Sequence, residues 1–466
     1  MKIYVLGWLG AIKLYPYHVP GSVFIVFMEP YRKELTMYNK NYISVGIDVG
    51  SAFSFMTIVA PDGSVIQKPF KITHNKPDSL EKAVSAIKKA EELHSLESRT
   101  FLESTGIYHF PLFCYLVDCG FHVSIINPII THSANNTSIR KVKNDKVDSI
   151  GIAKLGLSGD IPVSQFPAKL VLEIRSLTRK YYDLTDERSA HINKLKGDLH
   201  TVFPQYLDIF CDVTGKTSTM ILRQYGTPDK ILRGHKKTMI EKISKASRKG
   251  LAKASERYEK LCAAANAAKT FGCQIDSIYF NIFLTLDLVE KLDSALDSIL
   301  NRIRQLITFN KNEKFIQQIK LLNTIPGVGF LTAVTIMCEI GDFSAFRNPK
   351  QLFAYFGLDP EVNESGKFVG TQLHMSKRGS RIACRAIFAV ALASIRTKRN
   401  GEGINPYLRK YYELKSGQKP KMVAIGAVMH KVCNIVFAVL RDEKAFELRS
   451  PEEHCKQYQR PALAAA

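Results

Sequence analysis

The stretch YISVGIDVGS (Tyr42–Ser51) decides the fold. Ile43, Val45 and Ile47 alternate with small or polar residues, the period of a β-strand, and the strand carries Asp48 near its end. Working outward, Phe53–Ala60 reads as a second strand, and PDGS (Pro61–Ser64) turns into a third, Val65–Phe70. A helix follows Pro77, with Leu80, Ala83, Val84, Ile87 and Ala90 on one face. TFLES (Thr100–Ser104) is a short apolar strand bearing Glu103. A helix is expected around His109–Cys119, and FHVSIIN (Phe121–Asn127) is a strand stopped by Pro128.

Three strands in hairpin order, then alternating helices and strands, describe a ribonuclease H-like (RuvC-like) α/β domain over 42–160. That architecture gathers acidic residues from its first strand, a central strand and a late helix. KNDKVDS (Lys143–Ser149) supplies the last of these, with Asp145 and Asp148 three apart at a predicted helix start and therefore on one face. Clustered carboxylates repel one another unless a cation neutralises them. Hard oxygen ligands suit divalent ions, Mg2+ by default, whose usual chemistry here is phosphoryl transfer. Asp48, Glu103, Asp145 and Asp148 are the candidate metal ligands.

Composition points to the partner. Among 466 residues, 65 Lys and Arg face 43 Asp and Glu, a formal net charge of +22, which attracts a polyanion such as nucleic acid. The nine cysteines form no CxxC pair and no zinc-like spacing, as in a chain kept in a reducing cytoplasm. No run of eighteen uninterrupted apolar residues occurs, so no membrane span is expected. Residues 1–41 resemble a signal peptide only superficially, since Lys13 interrupts the apolar run. They read as an upstream extension or a mis-assigned start.

The middle of the chain, 161–318, is helical. Leu170, Ile174, Leu177, Tyr181, Leu184, Arg188, His191, Leu195 and Leu199 recur at spacings of four and three, a coiled-coil seam with two polar interruptions. A second seam runs through Val289, Leu292, Leu296, Ile299, Ile303 and Leu306. The pair could be an antiparallel hairpin spacing two domains, a dimerisation device, or both. Between the seams the basic run His235–Lys260 reads as helical with one solvated face.

The last domain, 319–445, opens with a helix-hairpin-helix pattern around NTIPGVG (Asn323–Gly329), and a tail, 446–466, follows. Gly327 and Gly329 permit a tight turn whose backbone N–H groups could approach a phosphate, or simply join two packed helices. In HMSKRGSR (His374–Arg381), Ser376 stands beside Lys377 and Arg378, with Arg381 and Arg385 close behind. Such cations can hold a phosphate and stabilise its transition-state charge, and a serine needs activation by a base, a metal or a charged environment to act as nucleophile. On spacing alone Ser376 could equally be a turn residue, with Ser380 capping the helix that begins at Arg381.

GIDVGS, LESTGIY, KNDKVDS, NTIPGVG and HMSKRGSR, in this order, resemble the DEDD transposases of the insertion-sequence 110 group, over about residues 42–440. The resemblance implies an RNA-guided recombinase in which Asp48, Glu103, Asp145 and Asp148 bind metal and Ser376 joins covalently to a DNA strand end. It further implies a noncoding bridge RNA and a homo-oligomer, dimer or tetramer, pairing one subunit's acidic domain with another's serine domain. The helical middle is longer and more basic than the family's minimal coiled coil, and the N-terminal extension also departs from the family's usual start. The competing readings are a junction-resolving nuclease using metal-activated water, and an actin-like ATPase suggested by GIDVGS. The ATPase reading lacks its second phosphate loop and adenosine motif.

Overall fold

The computed structural model describes residues 41–103, 108–126, 131, 144–158, 169–360, 364–365, 368–369, 375–376, 378–450 and 453. Nearly all of the N-terminal extension, Lys377 and most of the tail lie outside them. The chain divides into two compact units, Met1–Ser164 and Gln165–Ala466.

The first unit is a mixed α/β layer structure. Strands β1 (Ile43–Val49), β2 (Phe53–Val59), β3 (Val65–Thr73), β4 (Ser98–Glu103) and β5 (His122–Ile126) form one sheet in the order β3-β2-β1-β4-β5. β1 pairs antiparallel with β2 and parallel with β4, and β4 pairs parallel with β5. The third strand runs three residues past its expected end because Phe70, Lys71, Ile72 and Thr73 keep partners on β2. Helices α1 (Pro77–His94), α2 (His109–Asp118) and α3 (Asp145–Leu157) complete the described part of the unit. β1 is buried almost throughout, so its alternation marks small against large side chains rather than wet against dry.

The second unit is mostly helical. Helices α4 (Lys169–Val202) and α10 (Asp276–Phe309) are its two longest, and they lie antiparallel. Arg188 reaches Asp293 and Arg302 reaches Glu173, while Tyr279 donates to the Val202 carbonyl at 3.4 Å. The two sequence seams therefore face each other within one chain, the hairpin alternative.

Between these helices, α5 (Tyr206–Ile209), α6 (Lys216–Gln224), α7 (Pro228–Arg233), α8 (Lys236–Ser247) and α9 (Leu251–Thr270) form a helical head. Its core is built on Phe203, Tyr206, Ile221, Met239, Ile243 and Leu261. The basic run is not one helix. Arg248 takes a left-handed φ of 55° and Gly250 a φ of 80°, which breaks it between α8 and α9 and lets both apolar faces turn inward. A cleft of about 520 Å³ beside this break is lined by Lys249, Lys253, Arg257 and Lys260, with Asp208 and Glu256 among them.

The other end of the unit holds α11 (Lys314–Leu322), α12 (Phe330–Ile340), α13 (Pro349–Tyr355), α14 (Arg381–Ser394), α15 (Pro406–Ser416) and α16 (Lys421–Asp442). By length and composition α16 is apolar enough to cross a membrane, with a mean hydropathy of 2.0. A count of uninterrupted apolar residues passes over it because His430, Lys431 and Asn434 interrupt the run. Its Val428, Val432, Cys433 and Val436 are buried in the core with Ile336, Met337, Ile387 and Val390.

Candidate active site

Asp48 reaches the site through the packing of α3 on β1. Gly46 lies so close to the helix that an added Cβ would sit 2.2 Å from the Ala153 nitrogen and 2.3 Å from the Ser149 carbonyl oxygen. Three hydrogen bonds fix the crossing: Tyr42 Oη to the Gly156 carbonyl at 2.7 Å, Ser44 Oγ to the Ala153 carbonyl at 2.6 Å, and Thr57 Oγ1 with Ser149 Oγ at 2.7 Å. Later strand residues meet earlier helix residues, so α3 runs against β1 and brings its N-terminus to the strand end that carries Asp48. The Asn144 side chain caps that terminus, accepting from the Lys146 N–H at 3.1 Å.

Glu103 arrives by strand register. Ile47 pairs with Leu102, so Asp48 and Glu103 come next at the same level on neighbouring parallel strands. Burial, and then the charges of Asp145, Glu103 and Asp148, push the Asp48 carboxyl up to about 6. The other three sequence-predicted carboxylates thus all act on Asp48 electrostatically. Among the described residues no three acidic, His or Cys groups stand close enough to form a ready-made ligand set. The donors are nonetheless all carboxylate oxygens, and their mutual repulsion is the kind that a divalent cation relieves.

The second unit carries the remaining candidates. Ser376 lies on a strap held to the end of α13: its N–H donates to the Asp359 carbonyl at 2.8 Å, and Met375 bridges Pro360. Its hydroxyl donates to Asp359 Oδ1 at 2.5 Å. A Cβ on Gly379 would stand 2.3 Å from the Phe356 carbonyl carbon and the Tyr355 oxygen, so the strap lies flush against the turn after α13. Ser380 caps α14, accepting from the Ala383 N–H at 3.3 Å. Arg378 and Arg381 are exposed, whereas Arg385 is engaged by Asp186 at 2.8 Å and covers the Tyr182 ring. Lys377 lies outside the described residues.

The two glycines of the IPGVG turn differ. Gly327 has a φ of 96° and is backed by Ser394, whose Oγ would meet an added Cβ at 2.5 Å. Its lack of a side chain therefore serves packing against α14. Gly329, at the N-terminus of α12, is exposed and faces open space, which is the arrangement a phosphate would need.

Two features escaped the sequence. Asp359 sits in GLDP (Gly357–Pro360), which reads as an ordinary turn. Glu339 is buried on the apolar helix α12 and is satisfied by Arg179 from α4, 160 residues away.

Comparison with known proteins places this geometry. Residues 45–204 match a family model described as a transposase, that of the DEDD domain of IS110 elements. Residues 319–413 match a model described as transposase of the IS116/IS110/IS902 family. An IS116 insertion-element protein of Streptomyces clavuligerus is 24% identical over 411 residues, 88% of this chain and 97% of its own. The pilin gene-inverting protein of Moraxella bovis is 24% identical over 352 residues, covering 75% and 82%. A transposase for the element IS1111A of Coxiella burnetii is 26% identical over 188 residues, covering 39% and 50%. A sheet and helix that bring three further carboxylates to bear on Asp48, with a transposase match in each unit, define an enzyme of DNA transposition. Within that class the chain belongs to the IS110/IS116 transposases, whose DEDD domain implies use of a divalent metal.

Proposed function

We propose that this transposase cuts and rejoins DNA at the ends of its insertion sequence through a covalent phosphoserine at Ser376. The observation that carries the reading is that Asp145, Glu103 and Asp148 all bear on Asp48, whose carboxyl burial and then these three charges push up to about 6. On this reading the first unit is a RuvC-like ribonuclease H fold and the four carboxylates hold divalent metal, Mg2+ by default. The metal, when bound, supplies positive charge to the scissile phosphate.

The chain's own residues do the rest. Ser376 supplies the attacking oxygen. Arg378 and Arg381, both exposed beside it, bind the phosphate oxygens and offset their charge, together with Lys377. Gly329 opens the α12 N-terminus to a backbone phosphate, with Gly327 shaping the turn. The phosphoserine conserves the energy of the cut bond for rejoining.

DNA is the substrate, as the names of the relatives suggest, and the net charge of +22 suits it. A noncoding bridge RNA is the proposed guide, and the basic cleft of the head suits phosphate backbone of either kind. Homo-oligomers would let one copy's carboxylates serve another's Ser376.

Trapping tests the reading. Ser376→Ala should abolish covalent protein–DNA adducts and strand transfer while DNA binding persists. Adducts that survive in that variant would point to a different nucleophile, whereas cleavage by the wild type with no adduct at all would favour hydrolysis by metal-activated water in a junction-resolving nuclease.

A further inference from the structure

We infer that Asp359 is the general base for Ser376, taking its proton on cleavage and returning it on rejoining; this rests on the phosphoserine reading. The hydroxyl points at Asp359 Oδ1 from 2.5 Å, within reach for direct proton transfer. Serine–aspartate hydrogen bonds elsewhere in the chain, Ser64 to Asp62 and Ser344 to Asp342, join residues two apart and close local turns. The Ser376–Asp359 pair spans 17 residues and joins the strap to the turn after α13. The backbone bond from the Ser376 N–H to the Asp359 carbonyl, the Pro360–Met375 bridge and the side-chain-free contact at Gly379 hold the two residues in register.

The carboxylate is also unspent. Asp186 and Asp293 are bound by arginines, whereas among the described residues the Asp359 carboxylate makes only the bond to Ser376. A serine at neutral pH is a weak nucleophile, and a base in contact with its hydroxyl activates it as the new bond forms.

The step balances. As the Oγ–P bond forms, the hydroxyl proton passes to Asp359, and the bond from phosphorus to the departing deoxyribose oxygen breaks. That oxygen leaves with the bonding pair and takes a proton from water. In rejoining, a deoxyribose hydroxyl attacks phosphorus and gives its proton to water, while Asp359 returns its proton to Oγ as the phosphoserine bond breaks.

The test uses the full chain, co-expressed with its complete element and purified, then mixed with DNA spanning the element junction. Adduct formation is timed across pH in wild type, Asp359→Asn, Asp359→Glu and Ser376→Ala, with DNA affinity and melting temperature measured beside it. Asparagine can still accept the hydrogen bond but cannot take the proton. Asp359→Asn should therefore be slower by on the order of 100-fold or more, with DNA affinity and melting temperature unchanged. Its rate should climb toward wild type as pH rises and hydroxide replaces the base, and Asp359→Glu should recover part of it. A near-wild-type rate for Asp359→Asn overturns the inference. So does a loss that higher pH does not relieve, or one shared equally by Asp359→Glu, since either would mark a bracing role. Adducts in Ser376→Ala would instead overturn the phosphoserine reading itself.

Discussion

Arg179 grips Glu339 with both ends of its guanidinium, Nε 3.0 Å from Oε1 and Nη2 3.0 Å from Oε2. The Glu339 side chain is 2% exposed and that of Arg179 is 50% exposed. Burial alone would raise the Glu339 pKa, but hydrogen bonds from Arg179 and Ser380 hold it below its usual range. Glu339 thus ties α4 and α12 to the residue that ends the Ser376 strap.

Arg179→Ala should leave that carboxylate buried without its ion-pair partner. A loss of about 3 kcal/mol follows, the low end for breaking a buried pair because the arginine is half in water. Thermal melting would register it. The pH dependence has a definite sign: a carboxyl held low in the folded state stabilises it above the unfolded pKa, and that stability fades as pH falls through the folded value. Acid titration should therefore narrow the gap between wild type and variant.

Asp48 has the opposite sign. Its folded pKa of about 6 lies above the ordinary 3.8, so it favours the folded state only while protonated. That benefit is present below about pH 4 and lost as pH rises through about 6. Metal-free Asp48→Asn should melt higher than wild type at pH 7.5 and yet fail in transposition. Mg2+ should raise the melting temperature of wild type at that pH, an increase chelation reverses, and should do much less for the variant.

Gly46→Ala tests how the carboxylates are brought together. A methyl group there would strike the α3 backbone, which has no side chain to move aside. Overpacking of this kind costs about 1–3 kcal/mol. The helix bearing Asp145 and Asp148 must then lift from the strand bearing Asp48. Transposition should fall well beyond what the stability loss explains, with the Asp48 titration, read by NMR, moving toward an ordinary carboxylate.

Gly379→Ala should do the same for the serine. Its methyl would meet the Phe356 and Tyr355 backbone and push the strap off the turn after α13. Adduct formation should drop sharply while the Asp48 titration stays in place, because the two positions belong to different units.

Much of this was legible in the sequence, where local pattern sets local structure. The alternation of Ile43, Val45 and Ile47 marked β1, and Asp145 with Asp148 in KNDKVDS marked the start of α3. The seams of α4 and α10 carried the alternating four-and-three spacing of faces that pack against each other. What stayed hidden has no periodic signal. Gly46 reads as one more small residue, although its missing side chain lets α3 touch β1. Arg179 with Glu339 and Ser376 with Asp359 are long-range pairs, 160 and 17 residues apart, whose partners meet only after folding. The basic run read correctly as helical with one solvated face, but its break at Arg248–Gly250 and the core that Met239, Ile243 and Leu261 build had no local signal.

The antiparallel helices α4 and α10 also set a fixed separation. Ile174 belongs to the core at the serine end and Leu199 to the core of the basic head. At about 1.5 Å per residue that stretch of α4 spans about 38 Å, close to the ~34–36 Å of one turn of duplex DNA. A duplex lying along the two helices would present the same groove at both ends. On the phosphoserine reading, the head would then meet the backbone one helical turn from the phosphate at Ser376, and changing that separation by half a turn's length would rotate one contact to the far side of the duplex.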